Sequence, residues 1–208
     1  MKFVLIGAGQ RGMIYAKYAR EMGHEIAAVA ETDDVKRQIA GDLFGIPAEY
    51  RFVNGGDLLK QPKLGDAAII ATMDRDHFRE AVPAMEKGYH LLLEKPISPD
   101  PAETLAIEET AVRTGRHVTV CHVLRYSPFF RELKKAVTDG KIGRVITIQH
   151  NENIGNFHFA HSFVRGNWRR SDTASPLIMQ KSCHDMDLLV WLTGSRCESV
   201  ASFGDHVF

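Results

Sequence analysis

The apolar run Phe3-Val4-Leu5-Ile6 breaks directly into Gly7-Ala8-Gly9-Gln10-Arg11-Gly12, and a helical pattern follows. A G-x-G-x-x-G turn between a buried strand and a helix constrains a chain more tightly than any bulk property. The first glycine permits the tight turn, the second lets backbone approach a pyrophosphate, and the third allows close helix–strand packing. The helix N-terminus adds N–H donors and the positive end of its dipole. Glu31 ends the second apolar run nineteen residues after Gly12. A carboxylate there accepts both ribose hydroxyls and repels a 2′-phosphate. The turn therefore predicts NAD, held by Gly7, Gly9, Gln10, Arg11, Gly12 and Glu31. Lys36 and Arg37 can both reach a phosphate, which keeps NADP open.

The pattern continues as such a turn requires. Strands are expected at Phe3–Ile6, Glu25–Ala30, Ala67–Ala71, Tyr89–Leu93 and His117–His122, with a weaker one at Tyr50–Val53. Helices are expected at Arg11–Glu21, Asp34–Phe44 and His77–Lys87. Pro83 should kink the last of these or turn it early. A further helix begins at Pro99 or Pro101, with Ser98 or Asp100 as cap, and ends at Gly115. Alternation of this length implies right-handed crossovers and a mainly parallel sheet, that is, a doubly wound α/β domain over residues 1–122.

Residues 123–208 have another texture. A helix opens at Ser127-Pro128 and reaches about Thr138, and Arg144–His150 looks like a strand of a second sheet. A polar, aromatic stretch follows to Ser175, then a helix over Leu177–Leu192 and the start of a strand at Ser199–Phe203. So small a sheet leaves an apolar face uncovered, and the chain reads as a fragment whose second α/β domain is incomplete.

Composition removes whole classes. With 208 residues, 44% hydrophobic and 25% charged, the chain can bury a core without a staple. Twenty-six basic residues balance twenty-six acidic ones, which lacks the basic excess of a nucleic-acid partner and gives no sign of a membrane partner. Three cysteines without a CxxC pair argue against a disulfide framework or zinc knuckle. The apolar start is too short for a secretory core, so a cytoplasmic protein is expected. The histidines are scattered. His158 and His161, taken as lying on a strand, would face opposite ways, and no metal site is expected.

Two segments carry candidate chemistry. Glu94-Lys95-Pro96 ends a strand expected to be central, where ligands bind in parallel sheets. Lys95 there can hydrogen-bond a substrate hydroxyl and stabilise alkoxide-like charge during hydride loss. In the later helix, Lys181, His184, Asp187 and Leu188 share one face above Trp191. His184 is the candidate general base, Asp187 can orient it, and Lys181 can lower its pKa. Arg165-Gly166-Asn167-Trp168-Arg169-Arg170 offers Trp168 to stack on a sugar face and Arg169 to bind hydroxyls.

The motifs in order are G-x-G-x-x-G, Ala71-Thr72 with His77, Glu94-Lys95-Pro96, His122 to Tyr126, and His184-x-x-Asp187 with Trp191 and Gly194. Together they resemble the Gfo/Idh/MocA oxidoreductases, the glucose–fructose oxidoreductase and inositol dehydrogenase family. The resemblance implies a Rossmann domain followed by an α/β domain on an open mixed sheet, often the oligomer interface. It implies that Lys95 contacts both nicotinamide and substrate and that His184 is the general base. Thr72, His77 and Glu94 match positions lining the cofactor, and Glu31 matches the acidic residue on the ribose. The chain departs at Gln180, where several polyol dehydrogenases have an aspartate. A neutral amide cannot take a proton, so an Asp–His relay does not carry over, and Lys181 beside it takes part of that role.

The expected activity is hydride transfer between a nicotinamide cofactor and a carbinol carbon of a sugar, polyol or sugar derivative, in a homo-oligomer. Gln180, Lys181, Asp187, Trp168 and Arg169 are the candidate substrate contacts. Two alternatives stand beside it: a glycosidase that recycles a retained NAD, and a sensor that binds nucleotide without turnover.

Overall fold

The structure is a computed structural model and describes residues 1–170 and 172–205. The chain divides into two compact units, Met1–Cys121 with Ile154–Gln180, and His122–Asn153 with Lys181 onward.

The first unit carries six strands: β1 (Lys2–Ile6), β2 (Glu25–Ala30), β3 (Arg51–Phe52), β4 (Ala67–Ile70), β5 (His90–Leu93) and β6 (Val118–Val120). All pair in parallel, in the order β3-β2-β1-β4-β5-β6. Between them run α1 (Gln10–Glu21), α2 (Asp34–Phe44), α3 (Gly55–Lys60), α4 (His77–Glu86) and α5 (Pro101–Thr114). Alternation along each strand divides the core between the two faces. Val4, Ile6, Ala68 and Ile70 pack with Leu58, Ala81 and Ile107 of α3, α4 and α5. Leu5 and Ile69 pack instead with Ala16, Ala19 and Ala40 of α1 and α2. Helices thus cover both faces, as the doubly wound reading expects.

Two stretches refine the sequence reading. The α4 helix runs through Pro83 to Glu86, with Lys87 N–H bonded to the Pro83 carbonyl at 3.0 Å. Pro83 therefore does not end the helix early, and Ala81, Ala84 and Met85 around it are completely buried. The α3 helix lies in a stretch, between Val53 and Ala67, for which the sequence reading gives no element. Asn54 caps it by accepting from the Asp57 N–H at 2.9 Å, and burial of Leu58 and Leu59 holds it.

The first unit's later segment holds a short helix, α7 (Asn156–Phe159), and a π-helical turn over Ala160–Val164. His158 and His161 therefore lie in helical turns and not on the strand that the sequence suggests. Phe157 and His161 stack one helical turn apart, with centroids at 5.7 Å. The second unit contains α6 (Pro128–Thr138), capped by Ser127. The last helix, α8 (Leu177–Thr193), opens in the first unit and continues in the second. The strands expected at Arg144–His150 and Ser199–Phe203 are not formed; both segments are irregular. A strand exists only through a ladder partner, and among the described residues neither segment has one. No helix among them is long and apolar enough to cross a membrane.

Candidate active site

In the first unit the strand order reverses between β1 and β4, and the loops leaving their carboxyl ends bound the crevice where such sheets bind ligands. A Cβ on Gly7, at φ +89°, would lie 2.6 Å from the Ala71 carbonyl and 2.8 Å from Thr72 N. The two loops are thus in backbone contact there. A Cβ on Gly12 would lie 2.0 Å from the Gly7 carbonyl oxygen, so α1 rests on the turn itself. At Gly9 an added Cβ would meet nothing within 4 Å, and no side chain caps α1. Open space over uncapped amides is what a pyrophosphate needs, so these residues fit a dinucleotide.

Glu31 reaches back to this turn. Its Oε2 accepts the Ala8 N–H at 2.8 Å, and Oε1 accepts Asp33 N–H at 3.0 Å and the Thr32 hydroxyl at 3.2 Å. The two cations that kept a 2′-phosphate in play are both engaged. Arg37 donates to the Glu31 carbonyl at 2.6 Å and pairs with Asp34, while Lys36 pairs with Asp33 at 3.4 Å.

Around β5 the side chains brace one another. Tyr15 of α1 donates to Glu94 Oε1 at 2.5 Å, and Lys95 N–H donates to Oε2 at 3.0 Å. Burial, then the Glu94 carboxylate, raises the Tyr15 pKa, and the same two causes push the Cys121 thiol up to about 12. His77 is buried, its Nδ1 lying 2.9 Å from the Pro96 carbonyl oxygen and 3.3 Å from that of Ile97. It braces the segment after Lys95, whose bond to Pro96 is cis. Thr72 donates at 2.6 Å to Glu80, whose pKa burial pushes up to about 7.

The Lys95 ammonium donates to Gln180 twice, to Oε1 at 3.1 Å and to the main-chain oxygen at 3.2 Å. Gln180 Nε2 donates to Asp74 Oδ2 at 2.9 Å and to Ser175 Oγ at 2.8 Å. The Ser175 N–H donates to the same Asp74 oxygen at 2.7 Å. Lys95 and Gln180, predicted separately, are thus brought together. Tyr15, Asp74, Glu80 and Ser175 are new; of these, Asp74 is legible in hindsight as a carboxylate just beyond a central strand. Trp168 is exposed on a loop, and Arg169 donates to the Arg165 carbonyl at 3.4 Å.

In the second unit the ring of His184 stands edge-to-face with that of His122, centroids 5.7 Å apart. Lys181 is partly buried on the same helix. Asp187, expected to orient His184, accepts two hydrogen bonds from Arg125 at 2.7 and 2.5 Å, and His122 Nε2 lies 4.0 Å away. The Arg125 and Lys134 cations lie over the ring of Trp191. Asp185 is buried and bonds His150 at 2.8 Å, with a Glu152 carboxylate oxygen within 4.8 Å of a ring nitrogen of His150 and of an Asp185 oxygen.

Two family models match the chain. An oxidoreductase family's NAD-binding Rossmann fold matches residues 1–122, and its C-terminal alpha/beta domain matches residues 134–206. An inositol 2-dehydrogenase of Corynebacterium glutamicum is 29% identical over 202 residues, covering 94% of this chain and 55% of that protein. The crystal structure of myo-inositol 2-dehydrogenase from Lactobacillus plantarum superposes with TM-score 0.78 at 22% identity, covering 93% of this chain and 56% of that one. The WlbA dehydrogenase from Bordetella pertussis, crystallised with NADH and UDP-GlcNAcA, gives 0.76 at 23%, covering 92% and 59%. The chain therefore spans about half the length of the relatives it matches.

Proposed function

We propose, on the premise that this chain belongs to the Gfo/Idh/MocA oxidoreductase family, that it forms the cofactor-binding part and the start of the substrate domain of an NAD-dependent sugar or polyol dehydrogenase. Residues 1–122 are the cofactor domain, and residues 123–208 belong to the substrate and oligomerisation domain of a cytoplasmic homo-oligomer. The observation that carries the reading is the turn after β1. Gly7 and Gly12 leave no room for a Cβ, Gly9 opens onto free space, and Glu31 is bonded to the turn's own Ala8 N–H.

The N–H groups at the start of α1 hold the pyrophosphate, and Glu31 accepts the ribose hydroxyls once the Thr32 hydroxyl rotates away. Engagement of Lys36 and Arg37 by aspartates supports NAD over NADP. When bound, the nicotinamide supplies hydride acceptance or return. Lys95 donates a hydrogen bond to the substrate hydroxyl oxygen and stabilises the charge that develops on it. His184 takes the hydroxyl proton on its imidazole. Thr72, His77 and Glu94 shape the crevice, and Gln180, Lys181, Asp187, Trp168 and Arg169 serve the substrate.

The deciding experiment denatures the purified full-length protein, assays the supernatant for nicotinamide cofactor, and titrates the native protein with NADH. An empty site that binds NADH, with inositol- or sugar-dependent reduction of NAD, is the expected result. Stoichiometric released cofactor would replace the exchangeable dehydrogenase with a self-recycling enzyme. No cofactor and no binding would overturn the reading. Lys95→Ala and His184→Ala should each abolish turnover while NADH binding stays measurable; full activity in either would remove that residue from its role.

A further inference from the structure

We propose that Asp74 is the positioning residue for Lys95, acting through the side-chain amide of Gln180, whose orientation it fixes. The inference rests on the reading of Lys95 as the group that meets the substrate oxygen.

A glutamine amide has two ends, and which end faces a lysine decides whether the contact attracts or repels. Ionised Asp74 only accepts hydrogen bonds, and an ammonium only donates them. With Nε2 at 2.9 Å from Asp74 and Oε1 at 3.1 Å from Lys95 Nζ, each end of the amide meets its complement. The flipped amide would set its carbonyl against a carboxylate and its NH2 against an ammonium. Ser175 closes the arrangement. Its N–H shares the Asp74 oxygen at 2.7 Å, and its hydroxyl oxygen lies 2.8 Å from Nε2.

Burial makes the polarity count. Asp74, Ser175 and Gln180 are 3%, 2% and 4% exposed, so water does not screen the carboxylate or offer the amide another partner. Lysine has three N–H donors. Two are directed to Gln180, at Oε1 and at the main-chain oxygen. The third then has a defined direction, and it is the one that serves a substrate oxygen. In this arrangement Asp74 acts on Lys95 through Gln180. It selects the amide rotamer that selects the ammonium geometry.

The test combines Asp74→Asn, Gln180→Glu and the two together. Asparagine at position 74 can donate as well as accept, so the amide loses its enforced polarity. Glutamate at position 180 sets two carboxylates against each other where the amide stood. The double variant restores the donor–acceptor match between positions 74 and 180, with the NH2 of the introduced asparagine facing the carboxylate of the introduced glutamate, which itself accepts from Lys95, while the Ser175 N–H contact is given up.

The first readout is reductive methylation of Lys95, quantified by mass spectrometry on the purified protein without cofactor or substrate, with the exposed Lys2 and Lys60 as internal standards. Asp74→Asn should raise Lys95 labelling several-fold relative to the standards, and the double variant should bring it back. The second readout is kinetic: Asp74→Asn should lower kcat by about tenfold, with the dissociation constant for NADH held within about twofold. Unchanged Lys95 labelling in Asp74→Asn, or no recovery in a double variant that melts like the parent, would overturn the proposal. If Asp74→Asn fails to fold, Asp74→Ser takes its place, whose hydroxyl can donate as well as accept and so no longer enforces the polarity of the Gln180 amide. It must raise the labelling in the same way, and a parent-like rate would overturn the proposal. Because labelling needs no turnover, a protein without hydride transfer would sink the proposed function and still answer for Asp74.

Discussion

The Tyr15 phenol donates a 2.5 Å hydrogen bond to Glu94, so the helix that leaves the glycine turn is tied to the residue just before Lys95. The other Glu94 oxygen accepts the Lys95 N–H at 3.0 Å. One buried carboxylate therefore sets both the pose of α1 and the start of the segment that carries Lys95. Burial and the carboxylate raise the Tyr15 pKa, which keeps the phenol a donor through the alkaline range.

Tyr15→Phe removes one of the two donors to that carboxylate. The expected cost is about 1–3 kcal/mol, read as a shift in the denaturation midpoint, with weaker NADH binding as α1 loosens. An unchanged midpoint would show that the phenol is not what holds Glu94.

Gly9→Ala and Gly12→Ala should separate folding from binding. Alanine at position 9 meets open space in the free protein, so the melting temperature should stay near the parent's while NADH binding is lost to the methyl group in the pyrophosphate's place. Alanine at position 12 collides with the Gly7 carbonyl at 2.0 Å and must push α1 off the turn. It should destabilise the protein by about 1–3 kcal/mol or more. Thermal melts and NADH titrations of the two variants check both halves, and equal behaviour would contradict the geometry.

The contrast between these glycines also shows what the sequence makes legible. The turn, the strand before it and the boundaries of β2 and α2 are local, because apolar period and glycine position specify them. The α3 helix is not, because six residues are too few to show an apolar period and burial of Leu58 and Leu59 holds it. The site divides in the same way. Lys95, Glu31 and Gln180 stand out by motif, but the bonds among Asp74, Gln180 and Lys95 join residues far apart in the chain. Helical spacing offers Asp187 to His184, and the structure adds a bidentate partner, Arg125, sixty-two positions away. No periodicity reports such a pair.

Glu31→Ser tests cofactor choice. The carboxylate accepts from Ala8, Thr32 and Asp33, so on the proposed ribose role its loss loosens the turn and removes the ribose contact together. Affinity for NAD should fall by about tenfold or more. Preference should move toward NADP, but the absolute gain in NADP affinity should be small, because Arg37 and Lys36 are held by Asp34 and Asp33. Fluorescence titration with NADH and NADPH measures both, and an unchanged ratio would refute the ribose role.

Glu80 gives the first unit a pH dependence of definite sign. Its carboxyl titrates near 4.5 when unfolded and about 7 when folded, chiefly because burial disfavours the anion. Asp76 adds to the shift, while the Thr72 hydrogen bond and the Arg79 charge oppose it. The folded state therefore holds the proton more tightly. The stability this contributes is complete below pH 4.5 and is lost as pH rises through 7, with a ceiling of about 3 kcal/mol. Glu80→Gln cannot ionise and still offers Thr72 an acceptor. Between about pH 5 and 8 its melting temperature should fall less than the parent's, and the two curves should lie furthest apart at the alkaline end, with the variant the more stable. Parallel curves across that range would mean that Glu80 keeps an ordinary carboxylate's proton affinity and that burial at the Thr72 loop is not what governs it.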